Sequence, residues 1–384
     1  MEAFLVRVNW KEIPMIVRQK LNAAIASTRS IWQQSGIANS NELIGLDICA
    51  DSLKMLIIDS SAKPFKVKNF ANSPLPKNAI LKDEIKNREA ISTAIRDMIK
   101  QANITAKNVA ISVPRSLAVI KNININNALL PDEIESRITV EANKLFPELI
   151  GDIYLDYAIV GPSKQDSTQL DVIIAVCRKD QIQPFYEIIS DAGLIPRIVD
   201  INCYALERAL IQHHAKRSTD TTALLNLNLN LSTLIVIHNG IMIHAHDDSF
   251  DGEHLLAQVQ SYLNESRLSK SSIPTNLLSD VIYYAILKDN LISHLRHTIQ
   301  FVYSSKPDIS INQIILSGDC SNIPEIAIFI QNEVGIPTSI ANPFESMQFD
   351  NTINIDEIKP ISSTLMLCAG LALSQLEGKN HDAN

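Results

Sequence analysis

Leu43 to Ile48, Leu53 to Asp59 and Phe65 to Ala71 are three short runs rich in apolar residues with turn residues between them. Short apolar runs bounded by turn residues predict three β-strands joined by turns. Asn87 to Ala102 has helical spacing, and Lys107 to Pro114 returns to a strand with VAISVP at its centre. Ser116 to Ile125 predicts a further strand. Pro131-Asp132-Glu133 opens a helix to Phe146, its acidic residues in the first turn where the macrodipole favours them. Asp152 to Val160 and Leu170 to Cys177 are strands around the loop Gly161 to Thr168, and Asp180 to Ala192 is a helix closed by Gly193. Ile195 to Ile201 leads back toward the first strands.

The same opening recurs at residue 222. LLNLNLNLSTLIVIHNGIMIHAHD places Leu225, Leu227, Leu229 and Leu231 on one face and Asn226, Asn228 and Asn230 on the other, and Asn239-Gly240 marks a hairpin. Helices at 252–266 and 276–304, a strand from Gln313 to Leu316, a helix from Pro324 to Val334 and an apolar helix from Ser362 to Gln375 follow. A strand meander that starts at 43 and again at 222 predicts a layered α/β protein with two related halves, a cleft between them, and a small unit inserted at 115–198. Ahead of it, Val17, Leu21, Ala24, Thr28 and Trp32 form one face of an amphipathic helix after Pro14. Residues 1–36 hold five basic and two acidic residues, a net +3, so this extension either docks on its own unit or meets an anionic membrane surface or a partner.

Composition narrows the class. Of 384 residues, 46% are hydrophobic and 20% charged, as in a soluble globular chain. The net charge of −8 and the lack of a basic block exclude an evident nucleic-acid footprint. Cys49, Cys177, Cys203, Cys320 and Cys368 form no CxxC pair and read as buried thiols of a reducing compartment. No run nears the roughly 18 apolar residues of a membrane span, and no secretory leader is evident, so a cytosolic location is expected.

GLDICADSLKML, residues 45–56, is a strand–turn–strand with Asp47 before the turn and Lys54 after it, the layout of a phosphate-binding hairpin, but the turn holds Cys49 where such cradles use glycine. With SPLPKNAILKDEI, EIESRITVEANKLFPELIGDIYLDYAIV and IILSGDCSNIPEIAIFIQNEVGIPTSIANPFESM, it resembles the PilM family of type IV pilus assembly proteins, within the actin-like ATPases. The resemblance runs from about 41 to 376 and leaves residues 1–40 outside. It implies an actin-like (duplicated RNase H-like) fold with an inserted small α+β, SHS2-like domain. The domains expected are an actin-like 1A of 41–114, 199–216 and 340–376, an inserted 1C of 115–198 and an actin-like domain 2 of 217–339.

Nucleotide positions of the family map here to Asp47, Cys49 and Lys54, to Asn226 and Asn228 in the second hairpin, to Gly252 after Asp251, and to Gly318-Asp319. Family patterns have glycine at Cys49, Asn228, Asp251 and Asp319 and aspartate at Asn226. Cys49 adds atoms where a phosphate would approach, and Asn226 lacks the charge that orients hydrated Mg²⁺. Asp319 beside a polyanion would cost roughly 3 kcal/mol per like-charge pair at ~5 Å. The resemblance therefore implies an actin-like scaffold with impaired nucleotide binding, no catalysis and no obligatory cofactor, Mg-ATP being the ligand of an intact cleft. Its implied partner is the N-terminal cytoplasmic peptide of PilN, held near Val119, Ile120, Leu145 and Phe146 between the inserted unit and the first domain. PilO and the pilus motor ATPases or platform protein are further implied partners, at the inner face of the cytoplasmic membrane.

Other readings stay open at this point: an active ATPase switch of the same machine, an FtsA-like cell-division protein, and a GspL-like secretion component. The chain closes on LEGKNHDAN, unlike the amphipathic end of FtsA or the membrane span of GspL. His244 and His246 with Asp248 or His254 have zinc-like spacing, though a polar hairpin end explains them as well. His213-His214 reads as charge at a helix end, and Tyr283-Tyr284 and Phe301 with Tyr303 as core.

Overall fold

The computed structural model describes residues 42–61, 63–81, 84–145, 152–163, 165–213, 220–268 and 277–374. The extension 1–40, Phe146 and His214 lie outside them. The described residues begin with β1 (Leu43–Ile48), β2 (Ser52–Asp59) and β3 (Lys66–Pro74), which form an antiparallel meander. A two-residue pair, β4 (Ile80–Leu81) and β5 (Glu84–Ile85), occupies the proline-containing link. Helix α1 (Arg88–Gln101) follows, its first turn closed by the Asn87 side chain accepting from Ala90 N at 3.0 Å. Ile91, Ile95, Met98 and Ile99 make its buried stripe. Strand β6 (Asn108–Val113) then pairs parallel with β1.

The inserted unit contains β7 (Ala118–Asn126), α2 (Pro131–Leu145), β8 (Ile153–Pro162), β9 (Gln169–Arg178) and α3 (Lys179–Asp191). Its sheet has the order β7-β9-β8, and Ile125, Ile134, Ile138, Leu170, Val172 and Ile174 form its own small core. β10 (Ile195–Ile201) returns parallel to β6, and α4 (Asn202–His213) follows.

The second half repeats the first. β11 (Thr221–Leu227), β12 (Leu231–His238) and β13 (Ile241–Ser249) form a meander, followed by α5 (Gly252–Leu268), α6 (Val281–Ser305), β14 (Gln313–Ser317), α7 (Ile326–Val334) and β15 (Thr338–Ile340). β16 (Gln348–Phe349), the short α8 (Ile355–Ile358) and α9 (Met366–Ala372) then return to the first half, β16 pairing with β3 and α9 packing in the first core. The first sheet reads β10-β6-β1-β2-β3-β16 and the second β13-β12-β11-β14-β15. Apart from β16, both run meander, central first strand, then two parallel strands. This shared order is the structural form of the recurrence at 222.

β11 is buried along its whole length because both of its faces are covered. Leu224, Ile235 and Ile315 join the core of the first half, while Leu225, Leu234, Val236, Ile314 and Leu316 pack beneath α5, α6 and α7. The halves thus share apolar surface across β11, β12 and β14.

Four sequence expectations change. The leucine–asparagine row is not one strand: β11 ends at Leu227, and Asn228-Leu229-Asn230 is a turn, with Asn228 N donating to Leu231 O at 3.0 Å. The helix expected from Pro324 starts at Ile326, because Glu325 is left-handed at φ 58°. The last helix begins as 3₁₀ turns over Lys359–Leu365 and becomes α only at Met366. Tyr283 is buried in the core, but Phe301 is 45% exposed, stacked against His246 with ring centroids 4.9 Å apart.

Candidate functional site

The two hairpins face one another across the cleft in equivalent registers. In the first, Asp47 lies opposite Lys54 and Cys49-Ala50-Asp51 make the turn, closed by Cys49 N donating to Ser52 O at 2.9 Å. In the second, Asn226 lies opposite Thr233 and residues 228–230 make the turn. Asp47 therefore corresponds to Asn226, Cys49 to Asn228, and Lys54 to Thr233. Asp47, Cys49, Asn226 and Asn228 line one pocket of about 200 Å³, below the roughly 300–1,000 Å³ usual for small-molecule sites. Ile80, Ile85, Leu117 and Phe185 also line it, so the β4–β5 link and the inserted unit contribute to its walls.

Lys54 does not reach into that space. Its ammonium pairs with Asp319 Oδ1 at 2.7 Å, and its side chain is 3% exposed against 15% for Asp319. It also donates to Cys49 Sγ at 3.4 Å, while that thiol donates to Asp47 Oδ2 at 3.3 Å. Burial would by itself lower the Lys54 ammonium, but Cys49, Asp319 and Asp47 outweigh it and hold the group well above its ordinary value. Burial pushes the Asp47 carboxyl up, with Lys54 pulling the other way, and pushes the Cys49 thiol well up. Asp319 is thus tied to Lys54, across 265 residues of chain. Asp319 Oδ2 is buried without a hydrogen-bond partner among the described residues. Cys49 is half-buried, not buried like the other four cysteines.

The first donors of α5 are already in use. The first N–H groups of α5 point toward the turn, Gly252 N and Glu253 N both donating to Leu229 O at 2.7 and 3.2 Å. His254 N donates to Asp251 Oδ1 at 3.1 Å. Helix N-termini attract phosphates through such groups when they are unpaired. A Cβ on Gly252 would lie 2.5 Å from Asn228 O, and one on Gly318, at φ +88°, would lie 2.6 Å from Asn228 Oδ1. The Asn228 side chain thus lies directly against the Gly318 backbone. Asn226 Oδ1 accepts from Ser317 Oγ at 2.8 Å in full burial, where an aspartate would keep a charge.

A polar network at the base of the cleft was not anticipated from sequence. Arg115 N donates to Asp247 Oδ2 at 2.8 Å and to Asn202 Oδ1 at 3.1 Å. Asn202 Nδ2 and Asp247 Oδ1 both meet Thr233 Oγ1, at 3.0 and 2.9 Å. It joins β12, β13, α4 and the entry to the inserted unit. Thr233 was legible as the counterpart of Lys54 once the hairpins are aligned; the others come from three distant segments.

The expected peptide residues divide. Adjacent strand positions face opposite ways, and β7 separates them accordingly. Ile120 packs in part against the first core, whereas Val119 is on the other face and 39% exposed. Leu145 closes α2; its side chain and Phe146 lie outside the described residues. Among the described residues no group of three His, Cys, Asp or Glu could hold a metal, and no helix is long and apolar enough to cross a membrane. His244 and His246 flank Phe301 instead, at 5.5 and 4.9 Å.

Two sheets of one topology around a cleft, with a small sheet inserted after β6, define an actin-like α/β protein. The family model described as type IV pilus assembly protein PilM matches residues 45–376, and the chain belongs to that family. A solved "PilM-PilN type IV pilus biogenesis complex" has the same fold, at TM-score 0.70 and 19% identity over 86% of this chain and 98% of that one. The ethanolamine utilization protein EutJ from Carboxydothermus hydrogenoformans matches at TM-score 0.49 and 12% identity, over 94% of this chain and 98% of its own. MreB 5 of Spiroplasma citri bound to AMPPNP matches at 0.48 and 11%, over 89% and 98%. These two add no weight to the assignment.

Proposed function

We propose that this chain is a non-catalytic, actin-like scaffold of type IV pilus assembly whose nucleotide cleft is closed from within. The Lys54–Asp319 ion pair carries the reading, because the lysine and the loop that would meet phosphates are bound to each other. The residues do not fit Mg-ATP: the first two α5 N–H groups are capped by Leu229 O, the Asn228 side chain lies against the Gly318 backbone, and Asn226 has no charge. The partner is the N-terminal cytoplasmic peptide of PilN, a reading supported by the likeness to a PilM-PilN complex. It lies in the seam between the inserted unit, 115–198, and the first actin-like domain, 41–114 with 199–216 and 340–376; residues 217–339 form the second domain. At the inner membrane face the protein links the PilN complex to the cytosolic motor.

Calorimetric titration of Mg-ATP tests the cleft. The native chain is expected to give no binding heat, and Cys49→Gly/Asn226→Asp/Asp319→Gly is expected to bind. Micromolar binding by the native chain, with hydrolysis lost in Asp47→Ala, would replace the scaffold with an ATP-driven switch.

A further inference from the structure

The face of the inserted sheet that meets the first domain is defined by cross-strand rows. Ala118, Cys177 and Tyr154 form one row, and Ile120, Ala175 and Asp156 the next. Ala118 and Cys177 are in the first core, and Ile120, Ala175 and Tyr154 pack against it, so this face lines the seam. Asp156 is the charged member of that apolar strip, on β8, an outer strand whose far edge pairs with no other strand among the described residues. Its carboxylate makes no ion pair among the described residues. Burial pushes it up to about 7, a backbone hydrogen bond from Tyr157 opposes this, and the field of Asp200 adds to it.

Among the described residues the facing elements do not supply a cation to Asp156. On β10 and α4, Arg208 Nη1 pairs with Asp200 Oδ2 at 3.0 Å and donates to Gly370 O at 2.8 Å, and Arg197 donates to Asn108. Glu207 accepts from Met242 N, and Lys179 lies over the Tyr154 ring, 5.9 Å from its centre. An unpaired carboxylate half-buried among apolar side chains is costly unless a binding partner neutralises it.

We infer that Asp156 is the charge anchor of the peptide seam and pairs with a cationic group of the extended peptide held there. The inference rests on the peptide reading proposed above. It makes Asp156 a specificity determinant: apolar contacts set the depth of the peptide, and the carboxylate fixes which residue lies opposite β8. Pairing favours the ionised form, so binding releases a proton, strengthens as pH rises and weakens as pH falls through about 7.

The test is titration of the synthetic N-terminal cytoplasmic peptide of the cognate PilN into the full-length chain and into Asp156→Asn, at pH 6 and pH 8. The native chain is expected to bind about tenfold more weakly at pH 6 than at pH 8. Asp156→Asn is expected to bind about tenfold more weakly at pH 8 and to lose most of the pH dependence. An N-acetylated peptide and one with its basic side chains replaced by norleucine identify whether the α-amino group or a side chain is the cation. Equal binding by both proteins with a flat pH profile overturns the inference and leaves the peptide reading standing. No binding by the native chain overturns both. Melting gives a second readout. A raised carboxyl favours folding at low pH and loses that contribution as pH climbs, so Asp156→Asn is expected to melt above the native chain at pH 8. Melting below it would mean that Asp156 already has a cation in the fold, which also overturns the inference.

Discussion

Lys54→Met is expected to destabilise the fold by about 3–5 kcal/mol, read as a lower urea midpoint. Deleting the ammonium leaves Asp319 15% exposed without its partner, and Asp47 buried beside it. Surface ion pairs seldom contribute above ~1 kcal/mol, so the magnitude separates a buried latch from an exposed contact. Asp319→Asn added to Lys54→Met should recover part of the loss, with a coupling of roughly 1–3 kcal/mol. The latch should hold throughout the neutral range. Lys54 is held above its ordinary value, so its contribution is complete below the unfolded lysine value of roughly 10.4 and is lost only as pH climbs through the higher folded one. A loss under ~1 kcal/mol for Lys54→Met would contradict a buried closure.

Gly370→Ala is expected to destabilise by at least about 3 kcal/mol, where helix propensity alone predicts a gain of roughly 0.5–1. Gly370 lies within α9 where that helix crosses α4, and a Cβ there would lie 1.9 Å from Ala205 O and 2.5 Å from Ala205 C. Backbone on both sides cannot yield as a flexible side chain can. The other face of α9 is equally tight: a Cβ on Gly45 of β1 would lie 2.2 Å from Cys368 O. Either methyl would force α9 out of the first core, which it helps fill with Met366, Leu367, Leu371 and Ala372. Thermal melting and soluble yield check this, with Gly193→Ala as control, since nothing lies within 4 Å of a Cβ there and only its φ of +81° is strained. A rise in melting temperature for Gly370→Ala would mean that α9 does not cross α4 this closely.

Asp47, Cys49 and Lys54 were legible as a hairpin set because strand pairing acts over a few residues. Asn226 and Asn228 were legible by register from Ser232-Thr233-Leu234. The role of Asp319 was not, since its sequence neighbours say nothing about a lysine on the other half. Nor could the alternation through Leu231 reveal a turn at 228–230: alternating leucine and asparagine suits either a strand or a strand that turns, and Leu229 O capping α5 favours the turn.

Periodicity, turn chemistry and missing side chains are local properties, so the order of elements, the recurrence of the strand meander and the loss of glycines from the cleft could all be read along the chain. Four features emerge only once the chain is folded. Asp319 latches onto Lys54, Leu229 O takes the first two N–H groups of α5, Gly370 admits no methyl, and Asp156 stands apart from any cation among the described residues. Each depends on groups brought together from distant segments, where electrostatics and packing act through space and leave no periodic trace in the chain.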